Sequence, residues 1–187
     1  RPDYEQTDDD FHIILSTHNQ KVDQINERGL AKLHSQTHTY QAAIEGTFPE
    51  SMYPNDAELT LKVGARVMFV KNDSSPEKRY YNGKLGIVTA LDEDCITVAC
   101  EDQTIEVTPE EWQNLRYEAG NTVETVNAVR VGSFTQMPLR LAWAITIHKS
   151  QGLTFDNVVI DAADAFAAGQ VYVALSRCRT LEGIILL

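Results

Sequence analysis

Long hydrophobic runs are missing from this 187-residue chain: nowhere do eighteen apolar residues follow one another, and no basic-then-apolar leader is present. Neither a membrane span nor a secretion signal is expected, and the chain is expected inside the cell, in cytoplasm or nucleoid if it is bacterial. Cysteine is scarce. Cys95, Cys100 and Cys178 form no C-x-x-C pair and have no histidines at metal-ligand spacing, so reduced thiols and no metal site are expected. Positive charge is also short: 16 Lys and Arg against 27 Asp and Glu leave a net charge of −11. That deficit argues against a free-standing module that binds nucleic acid, because phosphate binding wants a basic surface. It leaves room for part of a groove, where a few local cations and backbone amides suffice. Internal repeats and low-complexity tracts are absent too. What is present, 43% hydrophobic and 8% aromatic residues, is a globular composition with room for one large domain or two small ones.

Along the chain the texture changes twice. Residues 1–10 carry five acidic side chains and a proline and read as a solvated leader. Residues 11–15 (FHIIL) form an apolar run of strand length. Thr17-x-x-Gln20 then has the spacing of a capping box. Val22, Ile25, Gly29 and Leu33 recur at three- to four-residue intervals, the mark of one apolar helix face. Residues 35–60 are polar, with Gly46, Pro49 and Pro54 and no sustained period, and read as a long connection. From 61 to about 107, short runs rich in Val and Ile alternate with turns such as Asn82-Gly83 and Asp92-Glu93-Asp94. This predicts a small antiparallel barrel or sandwich. Residues 109–112 (PEEW) suggest one helical turn, and 121–131 return to strand-like alternation. Beyond Pro138, residues 139–150 are apolar and of helix length, with Gly152 as a stop. Residues 157–161 (NVVID) read as a buried strand, 170–177 as a second helix and 183–187 (GIILL) as a last strand. Strands and helices alternate at both ends, so the ends are expected to build one α/β sheet, with the β-rich middle inserted into it.

Two stretches carry chemistry. Residues 146–154 (TIHKSQGLT) set His148, Lys149, Ser150 and Gln151 side by side where Gly152 turns the chain. Such a row of donors suits phosphate oxygens, and Gly152 lets a ligand approach the backbone. A solvated helix terminus with a comfortable cation accounts for the same residues. Residues 169–177 (GQVYVALSR) turn Val171, Ala174 and Leu175 toward a core and bring Arg177 out near a helix end. An arginine held there suits charge on a transferring phosphoryl group; a surface arginine at a helix C-terminus is the alternative. Tyr80-Tyr81, next to the Asn82-Gly83 turn, fit either turn-flanking aromatics or a base-stacking surface.

Taken in order, the two stretches are similar to motifs V and VI of superfamily 1 helicases of the RecD/Pif branch. Their flanks agree: Pro138-Leu139-x-Leu141-Ala142-Trp143 precedes the first, residues 158–161 (VVID) follow it, and Thr180-Leu181-Glu182-Gly183 follows the second. Residues 61–68 (LKVGARVM), Lys71-Asn72 and 82–88 resemble the start of that branch's inserted SH3-like domain. Residues 15–19 (LSTHN) with Val22 and Ile25-Asn26 resemble its motif IV region. The resemblance covers most of the chain and is weakest over 34–60 and 89–135. It implies an α/β RecA-like (P-loop NTPase-type) domain with a parallel sheet, from residues 1–62 and 136–187, interrupted at 63–135 by a small all-β SH3-like barrel. It further implies translocation along single-stranded DNA, 5′ to 3′, driven by ATP and Mg²⁺ between two RecA-like domains, the other being the N-terminal domain of the same parent chain. Carried over residue by residue, Thr146, His148, Lys149 and Ser150 contact the DNA backbone, with Thr17 and Asn19 from the motif IV region. Arg177 reaches the γ-phosphate, and Gln151, Gly152, Gln170 and Tyr172 line or support the nucleotide cleft. Cys178 departs from the small residue usual there.

The main departure is an absence. No G-x-x-x-x-G-K-[ST] occurs, hence no phosphate-cradling loop, and the acidic strand that holds Mg²⁺ in the family is missing as well. The chain is therefore expected to be a C-terminal piece of a longer helicase, inactive toward ATP by itself. Two other readings remain at this stage: a non-catalytic module that binds protein or nucleic acid through its β-rich middle, and a subunit of a RecD-like helicase–nuclease complex. No carboxylates at metal-binding spacing point to nuclease chemistry.

Overall fold

The computed structural model describes residues 12–119, 126–161 and 168–187. Strand β1 (Ile13–Ser16) runs into helix α1 (Asn19–Ala31). There follow β2 (Thr37–Gln41), β3 (Ala43–Gly46), a 3-10 turn (Glu50–Met52), β4 (Glu58–Lys62) and β5 (Arg66–Phe69). Next come β6 (Leu85–Leu91), β7 (Ile96–Ala99), β8 (Thr104–Val107), and the long pair β9 (Glu110–Ala119) and β10 (Val126–Gln136). The chain closes with β11 (Leu139–Leu141), β12 (Ala144–Thr146), β13 (Val158–Ile160), α2 (Ala168–Leu175) and β14 (Ile184–Leu186).

Both ends of the chain meet in one four-stranded sheet of order β12-β1-β13-β14, parallel throughout. A parallel sheet with α1 packed on it makes this a mixed, sheet-dominated α/β fold consistent with a RecA-like domain. The inner strand β13 reads as an unbroken apolar run because both its faces are covered: Val158, Val159 and Ile160 are all buried. The middle of the chain forms an antiparallel sheet of order β11-β5-β6-β7-β8, a three-stranded sheet β3-β10-β9 and the pair β2-β4. Alternation does the sorting there. In β8, Ile105 and Val107 are buried while Thr104 and Glu106 face water.

Two hydrophobic clusters result, and they interlock. One gathers Leu61, Val67, Phe69, Ile96, Val98 and Leu139, and Leu30 of α1 and Leu33 just past it pack against it. The other gathers Ile13, Leu15, Ile145, Phe155 and Ile160, and takes in Met68 of β5 and Leu85 of β6.

Four sequence expectations need correction. Residues 139–150 are not a helix but strands β11 and β12 and a turn. Ile145, Thr146 and Ile147 are β-branched, and Ile14 N–H to Trp143 O (3.0 Å) and Ile147 N–H to Ser16 O (2.9 Å) fasten the segment along β1. Residues 35–60 are not a bare connection: β2, β3 and the start of β4 form there, β2 and β3 too polar to show a period because Tyr40 is their one buried residue, while in β4 Leu59 and Leu61 alternate inward across the end of the segment. Residues 110–112 begin β9, held by register with β10, not a helical turn. The capping box does not form: His18 is the N-cap, without a side-chain cap, and Thr17 Oγ1 instead meets His18 Nδ1 at 2.7 Å. Of the alternation expected at 121–131, residues from Val126 lie in β10 and 121–125 fall outside the described residues. Among the described residues no helix is long and apolar enough to cross a membrane.

Candidate functional site

The turn after β12 is a compact device. Thr146 ends the strand opposite Ser16 of β1. Its hydroxyl accepts the Lys149 N–H (3.2 Å), and its carbonyl accepts the Ser150 N–H (3.0 Å). Ser150 is fully buried and donates its hydroxyl to Ile147 O at 2.7 Å. These bonds hold the turn closed around Thr146 and Ser150. His148 and Lys149 are left on the outside, followed by exposed Gln151 and Gly152. Gly152 has φ +82° with nothing within 4 Å of a Cβ position, so it makes the turn by backbone conformation and leaves open space before it.

Lys149 stands where two clefts meet. One, of about 720 Å³, is lined by Tyr53, Asn55, Met68, Asn82, Arg140 and Lys149 among others. The other, of about 340 Å³, is lined by Asn19, Asn26, Arg140, Thr146 and Lys149 among others. Of the expected strand-contacting residues, Asn19, Thr146 and Lys149 therefore share a wall. His148 sits beside them on the exposed turn, and Thr17 precedes Asn19 in the connection out of β1. Ser150 faces inward and shapes the turn. Arg140, common to both clefts, was missed by sequence reading. It occupies the unassigned position between Leu139 and Leu141, and only strand alternation, hidden by the helix expectation, singles it out.

Of the residues expected around a nucleotide, Gln151 and Gly152 lie on the turn after β12, while Gln170, Tyr172 and Arg177 lie at α2 and its end. Tyr172 is 73% exposed. Gln170 Oε1 is buried with no hydrogen-bond partner among the described residues, an acceptor left for a donor to complete. Arg177 lies just past the helix. Its Nε donates to Val173 O (3.1 Å), Nη1 to Leu153 O (3.3 Å) and Nη2 to Ser176 Oγ (2.9 Å). Among the described residues no carboxylate is in ion-pair range of it. The backbone joins this helix end to the turn: Phe155 N–H reaches Arg177 O (2.8 Å), and Arg179 N–H returns to Phe155 O (3.0 Å). Gly183 completes the joint, since a Cβ there would run into Asp156 O and lie 2.9 Å from Cys178 Sγ. The described residues contain no group of three or more His, Cys, Asp or Glu arranged to hold a metal ion.

Residues 141–184 match a family model described as UvrD-like helicase C-terminal domain. The ATP-dependent DNA helicase Pif1 of Psychrobacter sp. is 38% identical over 222 residues, a match covering 92% of this chain and 33% of that protein. The solved structure of unliganded Pif1 from Bacteroides sp. superposes with a TM-score of 0.89 at 48% identity, over 96% of this chain and 41% of that one. Pif1 helicase from Bacteroides in complex with ADP-AlF3 and ssDNA gives 0.74 at 47% identity, over 97% and 41%. The chain spans less than half the length of these relatives. The turn after β12 and the helix end that carries Arg177 fall within the matched residues 141–184, the superposition runs over nearly the whole chain, and the chain belongs, as a C-terminal half, to the superfamily 1 helicases of the Pif type.

Proposed function

We propose that this chain is the DNA-gripping and hydrolysis-coupling half of an ATP-dependent DNA helicase that moves 5′ to 3′ along a single strand. The parallel sheet with its helices acts as the second RecA-like domain (1–62 and 136–187). The antiparallel strands within 63–135 act as an inserted SH3-like barrel, a reading supported by the order β5-β6-β7-β8. Lys149 and His148 hold the strand's phosphates from the exposed turn, with Asn19 and Thr17 beside them, and Thr146 and Ser150 keep the turn in shape. Arg177 reaches the γ-phosphate of an ATP seated mainly on the N-terminal RecA-like domain of the same parent. Gln151, Gly152, Gln170 and Tyr172 complete this side of the nucleotide cleft. ATP with Mg²⁺ supplies the free energy through phosphoryl transfer to water; the loop and acidic strand that hold them belong to the other domain.

One observation carries the reading. Arg177 and the turn that bears Lys149 form a single hydrogen-bonded piece, through Arg177 Nη1 to Leu153 O and Phe155 N–H to Arg177 O. A displacement of Arg177 toward a γ-phosphate therefore pulls on Leu153, four residues from Lys149. This is how closure of a nucleotide cleft becomes a shift of the grip on DNA. The test is Arg177→Ala in the full-length protein. DNA-stimulated ATP turnover should fall by about 10³- to 10⁵-fold, the range for loss of a finger arginine, with single-strand affinity little changed. Unchanged turnover would refute the assignment of Arg177. This chain alone is expected to hydrolyse no ATP.

A further inference from the structure

The wall beside the Lys149 turn holds a second cation that no motif includes. In β11, Leu139 and Leu141 pack on the first hydrophobic cluster. Arg140 between them points the other way, as strand alternation requires, on the side of its cross-strand partner Met68. Met68, Arg140 and Lys149 line one cleft, and Arg140 and Lys149 recur in the adjoining one with Asn19 and Thr146.

Arg140 is placed for a ligand more than for the fold. Among the described residues its one hydrogen bond is a 3.5 Å contact from Nη2 to Pro54 O, at the outer limit for such a bond. No carboxylate among them lies in ion-pair range of Arg140 or Lys149, in a chain with 27 acidic residues. Lys71, Arg79 and Lys84 each have one, and Arg130 has two. Its presentation is also fixed. Asn55 is 3% exposed and donates Nδ2 to Met137 O (3.0 Å) and Leu139 O (2.8 Å), clamping the chain just ahead of Arg140.

The chemistry of the clefts selects the ligand. Exposed Asp23, Glu27, Glu50, Asp56 and Glu58 lie on them as well and repel phosphates, so a polyanion can be held only where a cation faces it. The guanidinium fork matches phosphate oxygens in a geometry that an ammonium lacks. We infer that Arg140 is a second backbone-phosphate contact, so that a single strand passing Lys149 is gripped at two points in the same cleft. This rests on the reading of that cleft as the path of the strand.

The test is the salt dependence of binding to oligothymidylate and oligoadenylate by the full-length protein carrying Arg140→Gln, Lys149→Gln, Arg140→Lys or Arg28→Gln. Losing one phosphate contact on a single strand flattens the slope of log affinity against log salt by about 0.7. Arg140→Gln and Lys149→Gln should each do so on both oligonucleotides, Arg140→Lys should restore the slope, and Arg28→Gln, on the exposed side of α1, should leave it alone. A parent slope in Arg140→Gln beside a flattened one in Lys149→Gln overturns the Arg140 contact and leaves the cleft reading standing. Parent slopes in both overturn the cleft reading and the contact with it. Equal flattening in Arg28→Gln reduces the effect to net charge and overturns the contact. If Arg140→Gln melts several degrees lower, Arg140→Met, which keeps the aliphatic stem, takes its place.

Discussion

A missing carbon atom decides how α1 meets the sheet. Gly29 lies on the inner face of the helix, and a Cβ there would come within 2.6 Å of Trp143 Cε2. Alanine ordinarily gains up to about 1 kcal/mol over glycine inside a helix, while overpacking costs about 1–3 kcal/mol. Gly29→Ala is therefore expected to destabilise the chain, against helix propensity. Urea unfolding followed by tryptophan emission measures it, and a higher midpoint than the parent's would show that Trp143 yields. One turn away, Asn26 is buried and bonds Ala144 from both sides: Nδ2 donates to its carbonyl and Oδ1 accepts its N–H, both at 3.0 Å. Because β12 is an edge strand, the asparagine does what a neighbouring strand would have done for those groups. The period of Val22, Ile25, Gly29 and Leu33 shows the helix face, but no sequence pattern announces a polar residue recruited to finish a strand. Ser150 teaches the same lesson. Its type suits phosphate, and only its 2.7 Å bond to Ile147 O reveals that it is spent on the turn.

At the scale of elements, β1, α1, α2, β13 and β14 were legible because each is a run of one period bounded by a stop. The segment over 139–150 was not, since an apolar run shared between an antiparallel strand and a parallel one looks like a buried helix until its partners are known. Strands β2 and β3 were hidden for the opposite reason, having only Tyr40 buried to set a rhythm. The loop between β5 and β6 shows local chemistry doing what a period cannot. Burial pushes the Asp73 carboxyl up, but the Ser75 N–H (2.9 Å), the Arg79 N–H (2.9 Å) and the Arg79 guanidinium (3.2 Å) outweigh it and bring the pKa down to about 2. A carboxylate with a lowered folded pKa stabilises fully above its unfolded value, near 3.9, and loses that contribution as pH falls toward 2. The stability gap between the parent and Asp73→Asn should thus be open at pH 5 and narrow at pH 2.5 in urea titrations. A gap of equal width at both would mean that the loop does not depend on the charge. In the same loop Tyr80, buried against Phe69 and close to Glu110 and Asp73, has its phenol pushed well above the usual range by burial first and those carboxylates next, so it stays neutral throughout.

Over the whole molecule, the alternation of strand and helix at the two ends made a shared α/β sheet expected from sequence, and the motif residues located the turn and the helix end. The joining of the two hydrophobic clusters was not readable, because Met68 and Leu85 sit in β-rich text and Leu30, Leu33 and Trp143 in helical or apolar text, each crossing to the other side. Such mutual insertion predicts that the chain melts in one cooperative transition, with calorimetric and van't Hoff enthalpies equal; two resolved peaks would mean that the clusters unfold separately. The position of β1 has a consequence for the making of the protein. It lies between β12 and β13, so both of its neighbours are encoded far downstream. At bacterial or eukaryotic synthesis rates the ribosome needs on the order of ten seconds to add the intervening chain. For that time Ile13 and Leu15 have no sheet to enter, and the nascent strand is a natural client for a chaperone that shields short apolar segments until the carboxyl end emerges.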